Sequence, residues 1–77
     1  MIQKAFGKAV REMREGIGIS QEELANRSGL HRTYISDVER GERNIGLGNV
    51  EAISKGLGVS LIELFERTTS YLSRSNN

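Results

Sequence analysis

The stretch from Ser20 to Asn44, Ser-Gln-Glu-Glu-Leu-Ala-Asn-Arg-Ser-Gly-Leu-His-Arg-Thr-Tyr-Ile-Ser-Asp-Val-Glu-Arg-Gly-Glu-Arg-Asn, decides the fold. It reads as two short helices joined by a tight turn at Gly29. Ser20 followed three residues on by Glu23 has the form of a capping box, in which each side chain satisfies a free backbone N–H at the helix start. Leu24 and Ala25 fall on the inward side, and the small Ala25 leaves room for a second helix to cross closely. Gly29 stands where the chain reverses; without a Cβ it reaches the left-handed conformation at little steric cost. Leu30 fills the corner. The second helix starts near Arg32, with Ile35 and Val38 three apart and facing Leu24 and Ala25. Arg32, Thr33, Ser36, Asp37 and Arg40 are then left in an outward row.

A short helix presenting such a row at a fixed angle suits the major groove of DNA, which admits one α-helix and displays a donor and acceptor code. Arg32, near the helix start, can place its planar fork on guanine O6 and N7. Thr33 offers a methyl to thymine or a hydroxyl to a base or phosphate. Ser36 and Asp37 lie further along; Asp37 is suited to accept from cytosine N4 or to orient Arg32. Around these base readers stand residues placed for the phosphate backbone. They are Gln21 at the N-terminus of the preceding helix, Tyr34 on the flank, Arg27 and Arg40, and Arg43 and Asn44 in the loop beyond. Each has a plainer reading: Tyr34 packs partly in the core with a wet hydroxyl, Asn44 stabilises its own turn, and charged faces are simply solvated. His31, the one histidine, sits where a helix N-cap belongs and is read as structural.

This two-helix unit is the helix-turn-helix pattern. Gln21-Glu22-Glu23-Leu24-Ala25, Gly29, Ile35, Val38 and Glu39-Arg40-Gly41 resemble the lambda-repressor-like (Xre-type) DNA-binding family. Within it, His31-Arg32-Thr33-Tyr34-Ile35-Ser36 and Glu39-Arg40-Gly41-Glu42-Arg43-Asn44 look most like controller proteins of restriction-modification systems. The resemblance runs from about Phe6 to Phe65. It implies a compact all-α domain of five helices, with a helix-turn-helix at about residues 20–40, and a phosphate contact for Gln21. It implies a homodimer on a pseudo-palindromic operator in double-stranded DNA, upstream of its own gene and of an endonuclease gene. There it activates at low occupancy and represses at high occupancy. Activation needs a surface for RNA polymerase, for which Glu22 is the acidic residue the resemblance suggests. A phage-type repressor or an antitoxin uses the same scaffold.

Outward from this unit, Phe6, Ala9, Val10 and Met13 recur at spacings of three and four, an amphipathic helix over Gln3–Glu15. Arg11 and Arg14 on it pair with acids, meet solvent or reach phosphate. Gly16-Ile17-Gly18-Ile19 ends the helix. Gly41 caps the recognition helix, and Ile45 and Leu47 tie the following loop to the core. A fourth helix runs from about Leu47 to Gly56, with Val50, Ile53 and Leu57 inward and Gly58 as its cap. Gly46 and Gly48 loosen its start, and Gly56 near its end costs about 1 kcal/mol relative to Ala if it is mid-helix. Ser60 and Glu63 repeat the capping signature and open a fifth helix. Its Leu61, Ile62, Leu64 and Phe65 cover more of the circumference than one core-facing stripe needs. A twofold dimer burying these four residues accounts for the surplus; packing all four inside the monomer is the alternative. Thr68-Thr69-Ser70 is a weak helix-forming stretch. The chain therefore divides into a DNA-binding and dimerisation domain at 1–68 and a helix extension or frayed tail at 69–77.

Composition constrains less. Seventy-seven residues without cysteine form one small domain that lacks the usual staples, which favours oligomerisation. Eleven basic and ten acidic residues leave a net charge of +1, and residues 1–44 hold eight and seven. Charge balance is thus silent on nucleic acid, and any positive field must come from local placement. The start has no apolar run suited to a signal peptide or membrane span, so a soluble cytoplasmic protein is expected. An enzyme has little support: no Cys, one His, no phosphate-binding glycine loop and no metal-ligand spacing. No cofactor or metal is expected. An adaptor that binds a protein through the apolar fifth helix is the alternative from a different functional class, and the row at Arg32 and Thr33 speaks against it.

Overall fold

The structure is a computed structural model, and residues 1–75 are described. Its order is α1 (Ile2–Gly16), α2 (Gln21–Ser28), α3 (Arg32–Glu39), α4 (Leu47–Leu57) and α5 (Leu61–Ser75). The all-α architecture and the helix-turn-helix of α2 and α3 match the expectation. No described helix is long and apolar enough to cross a membrane.

Local chemistry sets the helix ends. The Ser20 hydroxyl accepts from the Glu23 N–H at 3.0 Å, but the Glu23 carboxylate turns to Arg27, so this capping box closes on one side. At α5 both halves close: Ser60 Oγ accepts from the Glu63 N–H at 3.0 Å, and the Ser60 N–H donates to Glu63 at 3.1 Å. Gly29 takes the left-handed conformation (φ 69°) and lets the Leu30 N–H return to the Ala25 carbonyl, which turns the chain from α2 into α3.

The core gathers Phe6, Val10, Leu24, Ile35, Val38, Val50, Ile53 and Leu64, with contributions from every helix. Close backbone approach at two glycines sets its geometry. A Cβ on Gly7 would lie 2.3 Å from the Val38 carbonyl oxygen, so α1 crosses the end of α3 at a distance only glycine permits. A Cβ on Gly56 would lie 2.7 Å from Ser28 Oγ and 3.0 Å from Leu24 Cδ1. The glycine near the end of α4 therefore exchanges helix propensity for tight packing on α2.

Two expectations change. Leu47 does not tie the loop to the core; it is 83% exposed, and Ile45 alone makes that contact. Leu64 is fully buried in the monomer, so it is not available to a partner, while Leu61, Ile62 and Phe65 remain exposed. The fourth residue of an α5 face that begins at Leu61 simply meets the core first. α5 runs unbroken through Thr68-Thr69-Ser70, because Thr68 is buried and Tyr71 packs on the core and donates to Glu12 of α1. Tertiary packing there overrides weak propensity, and Thr68 Oγ1 satisfies itself on the Leu64 carbonyl at 2.9 Å. Of the expected tail, Asn76 and Asn77 lie outside the described residues.

Candidate nucleic-acid interface

The outward face of α3 is held in place from behind by charge. Arg14 of α1 donates from Nε to Glu39 Oε2 at 2.6 Å and from Nη2 to Oε1 at 3.0 Å, with Nη1 on the Ile19 carbonyl at 2.8 Å. Gln21, the first residue of α2, donates to the same Glu39 oxygen at 3.0 Å. The hydrogen bonds to Glu39 raise the Arg14 pKa, against the lowering effect of burial, and the charges of Glu39 and Glu15 add to the rise. One carboxylate at the end of α3 thus joins the end of α1 to the start of α2. Sequence reading left Glu39 unassigned and Arg14 undecided. The signal was present: Arg14 continues the Phe6, Val10 register, and Glu39 stands four beyond Ile35, so opposite charges occupy inward positions on both helices.

On the solvent side, Arg32 and Thr33 are exposed, and among the described residues no side-chain hydrogen bond or ion pair engages either. The rest of the expected row is engaged. Asp37 does not orient Arg32: its carboxylate accepts from Arg40 and, at 3.3 Å, from Arg43, because α3 carries Arg32 more than a turn away. Ser36 Oγ accepts from Arg40 at 2.5 Å, and Arg40 also reaches Glu42 at 3.2 Å. The guanidinium of Arg43 lies over the Tyr34 ring, 5.0 Å from its centroid. Tyr34 is half-buried, and its hydroxyl accepts from Asn49 Nδ2 at 3.1 Å. Asn49, on α4, was not anticipated from the sequence; its partner lies 15 residues away.

The remaining candidates flank this row. Gln21 has its amide nitrogen committed to Glu39. Arg27 pairs with Glu23 one turn back at 2.9 Å. Asn44 Oδ1 accepts from Gln3 Nε2 at 2.5 Å, which ties the loop after α3 to the start of α1. That loop leaves α3 through Gly41, left-handed at φ 76° and packed on Lys4. His31 is the N-cap residue of α3, with no side-chain bond to the helix.

A helix-turn-helix family profile matches residues 10–64. The control protein C.BamHI of Bacillus amyloliquefaciens is 52% identical over 69 residues, covering 88% of this chain and 85% of that protein. The control protein C.SmaI of Serratia marcescens is 44% identical over 66 residues, covering 86% and 79%. Among solved structures, the restriction-modification controller protein C.AhdI from Aeromonas hydrophila aligns with a TM-score of 0.80 and 44% identity, over 82% of this chain and 96% of its own. The controller protein C.Esp1396I aligns with a TM-score of 0.89 and 35% identity over 96% of each. A profile spanning most of the chain, and relatives this similar over most of their own length, place it in the helix-turn-helix family of transcriptional regulators, among the restriction-modification controller proteins.

Proposed function

We propose that the protein acts as a homodimeric regulator that reads a pseudo-palindromic operator, with α3 of each protomer in one half-site. In the setting of a restriction-modification system it acts as activator and repressor upstream of its own gene and the endonuclease gene. The observation that carries this reading is the contrast across α3: Ile35, Val38 and Glu39 lock one side, while Arg32 and Thr33 stand free on the other. Arg32 takes guanine O6 and N7 and Thr33 the neighbouring base, with Ser36 at the end of the row. Gln21, Arg27, Tyr34 and Asn44 face the phosphates on either side of the groove. The start of α2 adds its unsatisfied amides at Gln21. Glu22, exposed beside it, supplies the acidic contact for RNA polymerase during activation.

The dimer forms through α5. Ile62 is 72% exposed, and Phe65 stands three residues beyond it and four beyond the exposed Leu61. Phe65 also lines an apolar groove of about 230 Å³ with Ile2 and Leu47. Exposed apolar side chains clustered in this way mark a protein contact.

Selection of bound duplexes from a random pool tests the whole reading. The expected product is a pair of inverted half-sites with centres about 34 Å apart, one turn of the duplex. A pool that stays random, together with no gel shift at low salt, would instead favour the adaptor that uses α5 for another protein.

A further inference from the structure

We propose that Asp37 sets the specificity of binding by acting through Arg40 and Arg43: its carboxylate occupies the guanidinium positions that a DNA phosphate would take, and so suppresses attachment to arbitrary sequence. The proposal rests on α3 being the groove-facing helix. Asp37 Oδ1 accepts from Arg40 Nη2, and Oδ2 lies 3.3 Å from both Nε and Nη2 of Arg43. The Asp37 side chain is 19% exposed, whereas those of Arg40 and Arg43 are 52% and 48% exposed. The acid therefore sits beneath two arginines whose outer surfaces reach solvent. Arg40 is held further by Ser36 and Glu42, and Arg43 by the Tyr34 ring. Asp37, Arg40, Glu42 and Arg43 together carry no net formal charge. Arg32, more than a turn earlier, has no such partner among the described residues.

Affinity for DNA of any sequence comes from arginine and lysine neutralising phosphates and releasing counterions, with a salt slope of about −0.9 per phosphate contacted. Carboxylate and phosphate compete for the same planar fork of donors. An arginine already bound to Asp37 gains little by exchanging one oxyanion for another, and the carboxylate itself repels the approaching backbone. On a matching site, base contacts from Arg32 and Thr33 hold α3 deep enough for the exchange to occur. On random sequence nothing does.

The test is a titration of the intact protein and its Asp37→Asn variant against a random-sequence duplex and a duplex selected by the protein from a random pool, across a salt series. Exposed ion pairs are weak, so the variant should bind the random duplex about three- to tenfold tighter at 0.1 M salt, and its salt slope should steepen by about one to two. Affinity for the selected duplex changes less, so the ratio between the two falls. Adding Arg40→Gln and Arg43→Gln to the variant should abolish the gain. Asp37→Ser repeats the measurement with a different uncharged side chain, and circular dichroism checks that each variant is folded. Unchanged random-duplex binding overturns the proposal, as does a gain that survives loss of both arginines. Weakening on the selected duplex alone shows Asp37 reading a base and overturns it too. Wild-type protein that binds neither duplex at low salt removes the DNA reading itself.

Discussion

Arg32 and Glu39 show how differently two charged side chains on one short helix are used. Arg32 stands exposed on α3 without a protein partner among the described residues, so its contribution is expected in the DNA complex and not in the free fold. Arg32→Ala is expected to cost about 1–3 kcal/mol of operator binding and to relax preference at one base position while leaving the melting temperature unchanged. Competition against single-base operator variants reads that loss. Glu39 has the opposite profile, since its side chain is 3% exposed and is met by both Arg14 and Gln21. Glu39→Ala strips the largely buried Arg14 guanidinium of its main partner, leaving only the Ile19 carbonyl and Glu15 at 4.0 Å, and breaking a buried pair in this way costs up to about 3–5 kcal/mol. Urea unfolding is expected to show that loss of free energy as a lower midpoint, and operator affinity should fall with it, because α2 and α3 lose their common brace.

The helices pack through glycines and are joined through their ends. Gly7 and Gly48 both lie inside helices, yet alanine should act on them in opposite directions. At Gly7 the added methyl group meets the Val38 and Glu39 carbonyl oxygens, backbone atoms that cannot move aside. Gly7→Ala is expected to destabilise by about 1–3 kcal/mol, as overpacked sites do. Nothing lies within 4 Å of a Cβ at Gly48, so Gly48→Ala should stabilise by up to about 1 kcal/mol through helix propensity. Thermal melts of the two variants decide the sign of each. The last part of α5 is fastened to α1 by the Tyr71 hydroxyl, which donates to Glu12. That hydrogen bond, with burial adding to it and Arg67 opposing it, raises the Tyr71 pKa above the usual phenol value of about 10. The unfolded phenol thus loses its proton first. The stabilisation is complete below pH ~10 and is lost as pH rises through the folded value. Tyr71→Phe should therefore differ from wild type by a constant amount up to that pH, with the difference shrinking above it in pH-dependent unfolding.

The molecule as a whole carries a net charge of only +1, so its attraction to DNA is local and its surface is otherwise balanced. Two protomers joined through α5 would double the number of reading helices and so compensate for a weak overall field. Ile62 is mostly exposed in the monomer, which makes Ile62→Glu a clean probe of that assembly. Sedimentation should show the variant as a monomer with the melting behaviour of a folded domain, and its operator affinity should fall far below that of wild type. A variant that still sediments as a dimer would move the interface away from α5.

What could be read residue by residue was whatever depends on neighbours in the chain. Ser20, Gly29, Ser60 and Gly58 mark helix ends because capping and left-handed turns are settled within a few residues, and each functions as its type suggests. The inward register of Ile35, Val38, Val50 and Ile53 follows from helical periodicity alone. So did the exposure of Arg32 and Thr33 on the opposite side. The rest depended on which faces meet in three dimensions. Leu64 and Ile62 are equivalent as apolar letters on α5, yet one is sealed in the core and the other faces solvent. Gly7 looks dispensable until α3 is seen crossing it, and Thr68-Thr69-Ser70 looks like a break until the core is seen to extend past it. Arg14 and Glu39 lie 25 residues apart, and Asp37 had several arginines within reach. Periodicity fixes the direction in which a side chain leaves its own helix. Only the packing of helices against one another fixes what it meets there, because partner choice depends on distances between segments that the chain order leaves open.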